Sequence, residues 1–339
     1  MARRRRKNSK SIVFSLIIIF GLAVFSCAFY IKNMLAPVEL AHKVSLVVPA
    51  KASTSSISKL LYEKGLIRND LVFKIYAKYR GFDGKLRAGE YNFSGKVSLD
   101  DIREKMSRGE IITESFTIPE GYNLQQMANL LEEKGMVESE RFLQVAEQGS
   151  FPYDYLPEPG TEARLEGFLF PDTYQIIKGW SEEQIINMML KRFDEVFLPE
   201  WRERAKEMDM TISEVVTLAS IIEREAKASA DRPIISSVFH NRIKKGMHLE
   251  SCATVQYALG EVKEVLLYED LEIDSPYNTY LHGGLPPGPI ACPGKDSIKA
   301  ALYPADSNYL YFVAKPDGSH YFSRTLAEHN QAKRKYLKQ

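Results

Sequence analysis

The sequence predicts an α+β protein built from an N-terminal transmembrane helix, a small β-α-α-β module and a larger mixed α/β domain. A charge-free apolar run at 12–31 follows a basic tail at 1–11. Strand-like and helix-like patterns then alternate from residue 44 onward, and one stretch of them occurs twice. A chain of 339 residues is also longer than one hydrophobic core usually serves, so more than one domain is expected.

The apolar run is the first element, and its length fits a membrane helix. At about 1.5 Å of rise per residue it crosses a hydrocarbon core of roughly 30 Å. Phe25, Phe29 and Tyr30 make its far end bulky, which disfavours cleavage as a signal peptide because cleavage sites need small residues. Cys27 is interpreted as an apolar anchor residue rather than a lipid attachment site. Because basic residues precede the run, we expect a single-pass protein of the cell membrane with a cytoplasmic N-terminus and a periplasmic remainder.

After a linker at 32–43, a gapless repeat with an offset of 70 residues relates 45–78 to 115–148. Each copy predicts a strand ended by a proline, a helix ended by a glycine, and a second helix with its own N-cap. The residues predicted to end the first helix or begin the second in the two copies are Gly65, Asn69, Gly135 and Ser139.

Between the two copies, 86–93 predicts a strand and 98–108 predicts a helix capped by Gly109. Residues 44–115 therefore fit a small β-α-α-β module, and 116–339 form the larger domain with the second copy at its start. The order of elements is that of the glycan-binding LysM module. A structural spacer is the alternative, because the order of elements does not determine function.

An aromatic-rich segment at 166–180 opens the next part of the chain, close to acidic residues. Such a cluster is typical of a hydrophobic core. Aromatic faces beside acidic hydrogen-bond acceptors also occur in carbohydrate sites, so a sugar-binding platform is the second hypothesis. Its aromatic members are Phe168, Phe170, Tyr174 and Trp180.

The segment 211–226 predicts an amphipathic helix, with Thr211 or Ser213 as its N-cap and an acidic pair at its end. Glu223 and Glu225 fall on opposite edges of the apolar face, roughly 160° apart at about 100° per residue. They cannot both line one cleft, which disfavours the facing carboxylates of ordinary glycosidases. A carboxyl at the margin of an apolar face can hold a proton near neutral pH for general acid catalysis, and a solvated helix-edge charge is the alternative. The predicted buried face consists of Val215, Leu218, Ala219, Ile222 and Ala226.

Beyond this helix we expect a strand-like and turn-rich surface. Polar and glycine- or proline-rich sequence fills 240–247, 250–257, 275–280 and 283–289. Asn, Thr, Tyr and Gln side chains in these stretches are suited to hydrogen-bonding sugar hydroxyls and acetamides.

A family resemblance rests on five strings that follow one another in the chain. They are LASIIEREA at 218–226, VFHNRIKKGMHLESCATVQYALG at 238–260, SPYNTYLHGGLPPGPIACPG at 275–294, YLYFVAKPDGSHYFS at 309–323, and Glu328-His329-Asn330. With these strings, residues from about 46 to 336 resemble the endolytic murein transglycosylase family, also called the YceG-like family.

The resemblance implies a lytic transglycosylase that cuts nascent glycan strands of peptidoglycan between N-acetylmuramic acid and N-acetylglucosamine and leaves 1,6-anhydromuramyl ends. Glu225 matches the second glutamate of the family's E-[KR]-E motif and is the implied acid/base, with Glu223 in a supporting role. No metal or cofactor is implied, and penicillin-binding proteins or other cell wall synthases are the implied partners. Candidate sugar-binding residues are Asn241, Thr254, Gln256, Tyr277, Asn278 and Thr279.

Other functional classes find little support in the sequence. Its 45 basic and 44 acidic residues give no electrostatic argument for nucleic acid as a partner. The serine hydrolase, zinc protease, P-loop and Rossmann motifs are absent, and the histidines lack metal-ligand spacing. Glu250, Cys252 and Ala253 depart from the Gln and Asp-Pro of many relatives, and whether Cys252 pairs with Cys292 stays open. The alternative to an enzyme is a non-catalytic glycan-binding scaffold of the cell wall synthesis machinery.

Overall fold

The computed structural model describes residues 2–49, 52–109, 113–263 and 266–336. By its internal packing the chain divides into two compact units. Unit 1 consists of Met1–Glu114 and Ile176–Lys178, and unit 2 of Ser115–Gln175 and Gly179–Gln339. The domain functions expected from the sequence stay predictions.

Helix α1, Ala2–Met34, begins unit 1. Its described apolar side chains, among them Phe14, Phe20 and Phe29, are exposed. The membrane span predicted at 12–31 includes residues 12, 13, 15, 17 and 27, whose side chains lie outside the described part. Among the residues that are described, no helix combines the length and apolarity needed to cross a membrane.

The rest of unit 1 has the strand-helix-helix-strand order that the sequence predicts. Its elements are β1 (Val38–Val48), α2 (Thr54–Glu63), α3 (Asp70–Tyr79), β2 (Gly89–Val97) and α4 (Leu99–Arg108). Strands β1 and β2 pair antiparallel from Val48 opposite Gly89 to Val38 opposite Val97. The second strand therefore lies at 89–97 rather than at the predicted 86–93, because its pairing with β1 continues to Val97. A LysM-type function stays a prediction.

Alternation along β1 and helix capping explain why unit 1 forms these elements. Leu46 and Val48 point inward while Val47 between them is exposed, which is the two-residue period of a half-buried strand. The predicted cap of α4 at Gly109 is confirmed by a φ of +71°, and Ser98, predicted as the first helical residue, is the N-cap and forms a capping box with Asp101. The core between sheet and helices includes Ile57, Leu61, Phe73, Tyr91 and Ile102.

The second copy of the repeat folds as the first does. Its elements are β3 (Thr113–Thr117), α5 (Leu124–Glu133) and α6 (Ser139–Gln148), and β3 pairs with a later strand, β4 (Thr173–Ile177). The predicted N-cap at Ser139 is wrong, because Glu138 holds that position and Ser139 is the first helical residue. The Ser139 N–H instead donates to Glu132 Oε1 at 2.9 Å, and its hydroxyl donates to Asn129 Oδ1 at 3.2 Å.

The remainder of unit 2 is mainly helical. Its elements are α7 (Glu182–Val196), α8 (Pro199–Glu207), α9 (Ile212–Glu225), α10 (Arg232–Lys244), α11 (Cys252–Leu259), α12 (Lys295–Leu302), β5 (Tyr311–Ala314), β6 (His320–Ser323) and α13 (Leu326–Tyr336). The strands of the described part form three two-stranded sheets, β1–β2, β3–β4 and β5–β6.

Helix α9 lies in the core of unit 2, packed by α8, α10, α11 and α12. The predicted cap is confirmed at Thr211, whose hydroxyl accepts from the Glu214 N–H while the Glu214 carboxylate accepts from the Thr211 N–H. The five residues predicted for its buried face are buried, but so are Val216, Thr217, Ser220 and Ile221. The middle of the helix is therefore buried on all sides. The amphipathic pattern, which predicts one buried face, underestimates how many of its residues are buried.

One expectation for unit 2 is wrong, and one pair of alternatives is decided. The stretch expected to be strand-like and turn-rich contains helices α10 and α11, because its polar side chains bond inward and do not mark a surface. In the aromatic cluster, Phe168, Phe170 and Tyr174 are buried and only Trp180 is partly exposed. The three buried aromatics form core, as the first interpretation of the segment has it, and do not provide an exposed sugar platform.

Candidate active site

Glu225 is the last residue of α9, because Ala226 leaves the helix with φ −84° and ψ 102°. Its side chain is half-buried at that end. The Ser251 hydroxyl, directly before α11, donates to Glu225 Oε1 at 2.5 Å. Oε2 has no hydrogen-bond partner among the described residues. One oxygen of this carboxyl is thus held and the other is open.

Cys252 and Tyr280 lie near the Glu225 carboxyl. Cys252 Sγ lies 3.2 Å from Tyr280 Oη. Burial raises the pKa of the Cys252 thiol, and the negative charge of Glu225 raises it further, against the hydrogen bond from Tyr280. Burial is also the main cause that raises the pKa of Tyr280, with Cys252, Glu225 and Glu250 adding to it. Both neighbours are therefore neutral at physiological pH.

Glu223, two residues earlier, has a different environment. Its Oε1 lies 3.0 Å from Arg232 Nη2, and its Oε2 accepts from the Gly294 N–H at 3.0 Å. Both ionic side chains are buried, at 7% exposure for Glu223 and 11% for Arg232. A carboxylate with both oxygens bonded and its charge paired is not free to transfer a proton. Glu223 therefore joins the end of α9 to the loop at Gly294.

Gly294 is where two carboxyl groups meet. A Cβ added there would lie 1.9 Å from Glu120 Oε1. Burial raises the pKa of Glu120, and the nearby charge of Glu223 raises it further while Arg232 lowers it. A side chain at this position would require the Glu120 carboxyl to move, whereas glycine leaves it 3.9 Å from Arg232, which it shares with Glu223.

Three of the predicted sugar-binding residues are buried beneath the site. Thr254 and Thr279 hydroxyls lie 2.9 Å apart, and the Ser251 N–H donates to Thr279 Oγ1 at 3.0 Å. The Asn278 amide donates to the carbonyls of Leu271 and Ile273, each at 2.9 Å. Fully buried side chains do not reach a substrate in this arrangement. The burial of Thr254, Asn278 and Thr279 therefore favours structural roles for them. Their part in sugar binding stays a prediction.

The other three candidates are placed separately. Asn241 on α10 donates to the carbonyls of Ser307 and Tyr309, at 2.9 and 3.0 Å. Gln256 on α11 donates to the Lys263 carbonyl at 2.8 Å. Tyr277 is half-buried, and its ring lies 4.9 Å from that of Tyr257. Of the six candidates, Tyr277 is the best placed to contact a ligand, because its side chain is partly exposed and its hydroxyl has no hydrogen-bond partner among the described residues.

Sequence reasoning missed Glu166, a buried carboxyl behind Tyr257 and Tyr277. It accepts from the Leu124 N–H at 3.1 and 3.2 Å and from the Tyr257 hydroxyl at 3.3 Å. Burial raises its pKa from 4.5 to about 8, although its hydrogen bonds act in the opposite direction. A lone acidic residue within the apolar sequence 165–170 was the available signal.

The described cysteines and acidic residues form neither a disulfide nor a metal site. Cys252 and Cys292 are both free thiols, the first exposed and the second buried. In the described part of the chain no group of three or more His, Cys, Asp and Glu residues could hold a metal ion. The chemistry that the site around Glu225 supports is the donation and uptake of one proton at Glu225 Oε2.

Comparison with known proteins gives consistent matches over most of the chain. Residues 46–335 match the model of the YceG-like family. The endolytic murein transglycosylase of Bacillus subtilis (strain 168) is 38% identical over 323 residues, which cover 91% of this chain and 89% of that protein. The protein of that name from Streptococcus pneumoniae serotype 2 is 32% identical over 89% of this chain, which spans only 60% of its length.

Among solved structures, a YceG-like protein of Listeria monocytogenes is 38% identical. The alignment has a TM-score of 0.58 and covers 85% of this chain and 98% of that one.

Proposed function

Because the chain belongs to the YceG-like family, we propose that it is an endolytic lytic transglycosylase of peptidoglycan with Glu225 as its acid/base. One observation carries the assignment. The Glu225 carboxyl at the end of α9 accepts a hydrogen bond from Ser251 at Oε1, and its Oε2 has no hydrogen-bond partner among the described residues. The name carried by the similar proteins supplies the substrate class.

The proposed reaction needs one carboxyl group. Glu225 donates its proton to the glycosidic oxygen as the bond from C1 of N-acetylmuramic acid to that oxygen breaks. The resulting carboxylate takes the proton of the muramyl 6-hydroxyl, and that oxygen bonds to C1. The products are a new N-acetylglucosamine end and a 1,6-anhydromuramyl end, and Glu225 regains its acid form. Because the nucleophile belongs to the substrate, a second carboxylate to activate water is unnecessary.

The environment of Glu223 agrees with a single-carboxyl mechanism. Its two oxygens are bonded to Arg232 and Gly294, so it is unsuited to act as an opposing base. We assign to it the support of the helix end that presents Glu225.

Membrane attachment and glycan binding belong to the same proposal. The charge-free run at 12–31, the basic tail before it and the exposed Phe14, Phe20 and Phe25 favour an anchor with the remainder of the chain on the periplasmic side. The β-α-α-β module would bind glycan, and penicillin-binding proteins or other synthases would supply nascent strands. An alkaline wash of membranes tests the anchor: the full chain should remain, and a chain without residues 1–34 should be released.

The decisive experiment incubates the purified full-length protein in detergent with uncrosslinked glycan strands and identifies the products by mass spectrometry. Wild type should release internal fragments with anhydromuramyl ends, and Glu225→Gln should release none. Glu223→Gln is the matched variant and should keep activity in its folded fraction. Products with reducing ends only would instead show hydrolysis.

A non-catalytic scaffold is the competing function. It predicts strand binding without any cleavage by wild type, and equal binding by Glu225→Gln.

A further inference from the structure

Ser251 occupies the N-cap position of α11, but its side chain does not cap that helix. Serine is among the preferred residues at an N-cap because its hydroxyl satisfies a free N–H of the first turn. Here the hydroxyl donates to Glu225 Oε1 at 2.5 Å instead. The side chain therefore serves the carboxyl and not its own helix.

The backbone of Ser251 is held on both sides. Its N–H donates to Thr279 Oγ1 at 3.0 Å, and its carbonyl accepts from Thr254 Oγ1 at 2.8 Å. The two threonine hydroxyls lie 2.9 Å apart. Because the single hydroxyl hydrogen of Thr254 goes to the carbonyl, Thr279 is the donor between them. All three residues are buried, so the backbone that carries the Ser251 hydroxyl is held in one position.

The residue before Ser251 adds to this constraint. Glu250 has a φ of +49°, in the left-handed region that residues with a Cβ seldom adopt. Its N–H donates to the Thr279 carbonyl at 3.1 Å, and its carboxylate lies 2.9 Å from Arg242 Nη1. Uncommon backbone of this kind persists where the surrounding contacts impose it, and it is frequent beside functional groups.

We propose that Ser251 is a positioning residue for the lytic transglycosylase reaction, which rests on the function proposed above. Its hydroxyl holds Glu225 Oε1 so that Oε2 faces the glycosidic oxygen. A donor to a carboxylate also stabilises the charged form over the acid form. The hydrogen bond therefore strengthens as Glu225 gives up its proton to the leaving oxygen, which lowers the barrier to bond cleavage.

The other titratable groups around Glu225 are the same in wild type and Ser251→Ala. They are Cys252 of α11 and Tyr280, with Lys333 of α13 acting on Cys252 and Glu250 acting on Tyr280. Glu223 and Arg224 adjoin Glu225 on α9. None of them changes when the Ser251 hydroxyl is removed, so a shift of the pH profile reports on that hydroxyl.

The test measures kcat and KM of the full-length protein against pH with uncrosslinked strands, for wild type and Ser251→Ala. Loss of one hydrogen bond to a charged group should lower kcat roughly 10- to 100-fold, with little change of KM. Because the bond favours the carboxylate, its loss should move the alkaline limb of the kcat profile up by about one pH unit. Ser251→Cys, assayed with a reductant, keeps the size but offers a weaker donor and should lie between the two.

Ser139→Ala is the matched control, since it removes a largely buried serine hydroxyl bonded to Asn129 on another helix of unit 2. It should leave both kcat and the pH profile unchanged. An unshifted alkaline limb in Ser251→Ala and Ser251→Cys would overturn the positioning role while wild type still makes anhydromuramyl products. Failure of wild type to make them would instead overturn the proposed function.

Discussion

Two glutamates separated by one residue have opposite assignments because their partners differ. Glu223 is buried with Arg232 and bonded at both oxygens. Glu225 has one bond, to Ser251, and an open oxygen. Removing one partner of a buried ion pair leaves the other charge without a counterpart in a region of low dielectric constant. The two positions should therefore respond differently to mutation, one through stability and the other through activity.

The first prediction compares these two residues. Glu223→Ala should lower the free energy of unfolding by about 3 kcal/mol, because buried Arg232 loses its nearer counter-charge and keeps Glu120 at 3.9 Å, and the Gly294 N–H loses its acceptor. Glu225→Ala should change it by less than about 1 kcal/mol, as is usual for a half-exposed side chain. Urea denaturation followed by circular dichroism measures both. An equal loss at the two positions would contradict the distinction.

The second prediction concerns thiol reactivity. Cys252 is exposed and next to Glu225, whereas Cys292 is buried. Because burial raises the pKa of both thiols, labelling by iodoacetamide should be slow at pH 7 and faster as the pH rises. Peptide mass spectrometry of the folded protein should find the label on Cys252 and not on Cys292.

Labelling of Cys252 should also stop strand cleavage, since the added group would fill the space beside the Glu225 carboxyl. Cys252→Ser should remain active after the same treatment. Loss of activity in that variant would trace inhibition to another residue.

At the scale of secondary structure, capping signals were the best guide to the fold. Asn69 is confirmed as an N-cap, and so is Thr211, one of the two caps predicted for α9, because each side chain accepts from an N–H within its own first turn. Ser139 and Ser251 break this rule, because a partner elsewhere takes the hydroxyl. Such long-range partners leave no local pattern in the sequence.

The third prediction tests one cap. Thr211→Ala removes the acceptor for the Glu214 N–H and half of the capping box of α9. We expect a loss of about 1 kcal/mol in the free energy of unfolding, measured by urea denaturation. Thr211→Ser keeps the hydroxyl and should stay near wild type. A similar loss in both variants would assign the effect to the threonine methyl group.

Helices α10 and α11 were missed for a related reason. Arg242 is buried, and its guanidinium donates to the carbonyls of His248, Leu249 and Leu310. Asn241 and Asn278 also bond backbone carbonyls. In the sequence alone, these polar residues look like those of a solvent-exposed sugar-binding surface. Family resemblance selected Glu225, while the partners that separate it from Glu223 are visible only in three dimensions.

Across unit 2 as a whole, Glu166 couples stability to pH. Its pKa is raised from 4.5 to about 8 by burial, so the folded chain binds a proton that the unfolded chain releases between these values. Its contribution to stability is therefore complete below pH 4.5 and is lost as the pH rises towards 8.

The fourth prediction follows from that coupling. Glu166→Gln keeps an acceptor for the Leu124 N–H but cannot ionise. Its free energy of unfolding should fall less than that of wild type from pH 5 to pH 8, with a difference on the order of 1–3 kcal/mol. Thermal unfolding at several pH values measures this. Parallel pH curves for the two proteins would show that Glu166 is ionised in the folded state.

The repeated β-α-α segment has a consequence for the history of the molecule. The first copy closes with β2 about ten residues after α3, whereas the second closes with β4 only after the insertion that contains Glu166. A tandem duplication leaves this pattern when one copy keeps its compact form and the other accepts new sequence between its last helix and last strand. The inserted stretch, with its buried aromatics and its acid, is then an acquisition of the second copy. Related chains should accordingly vary more in length between α6 and β4 than between α3 and β2.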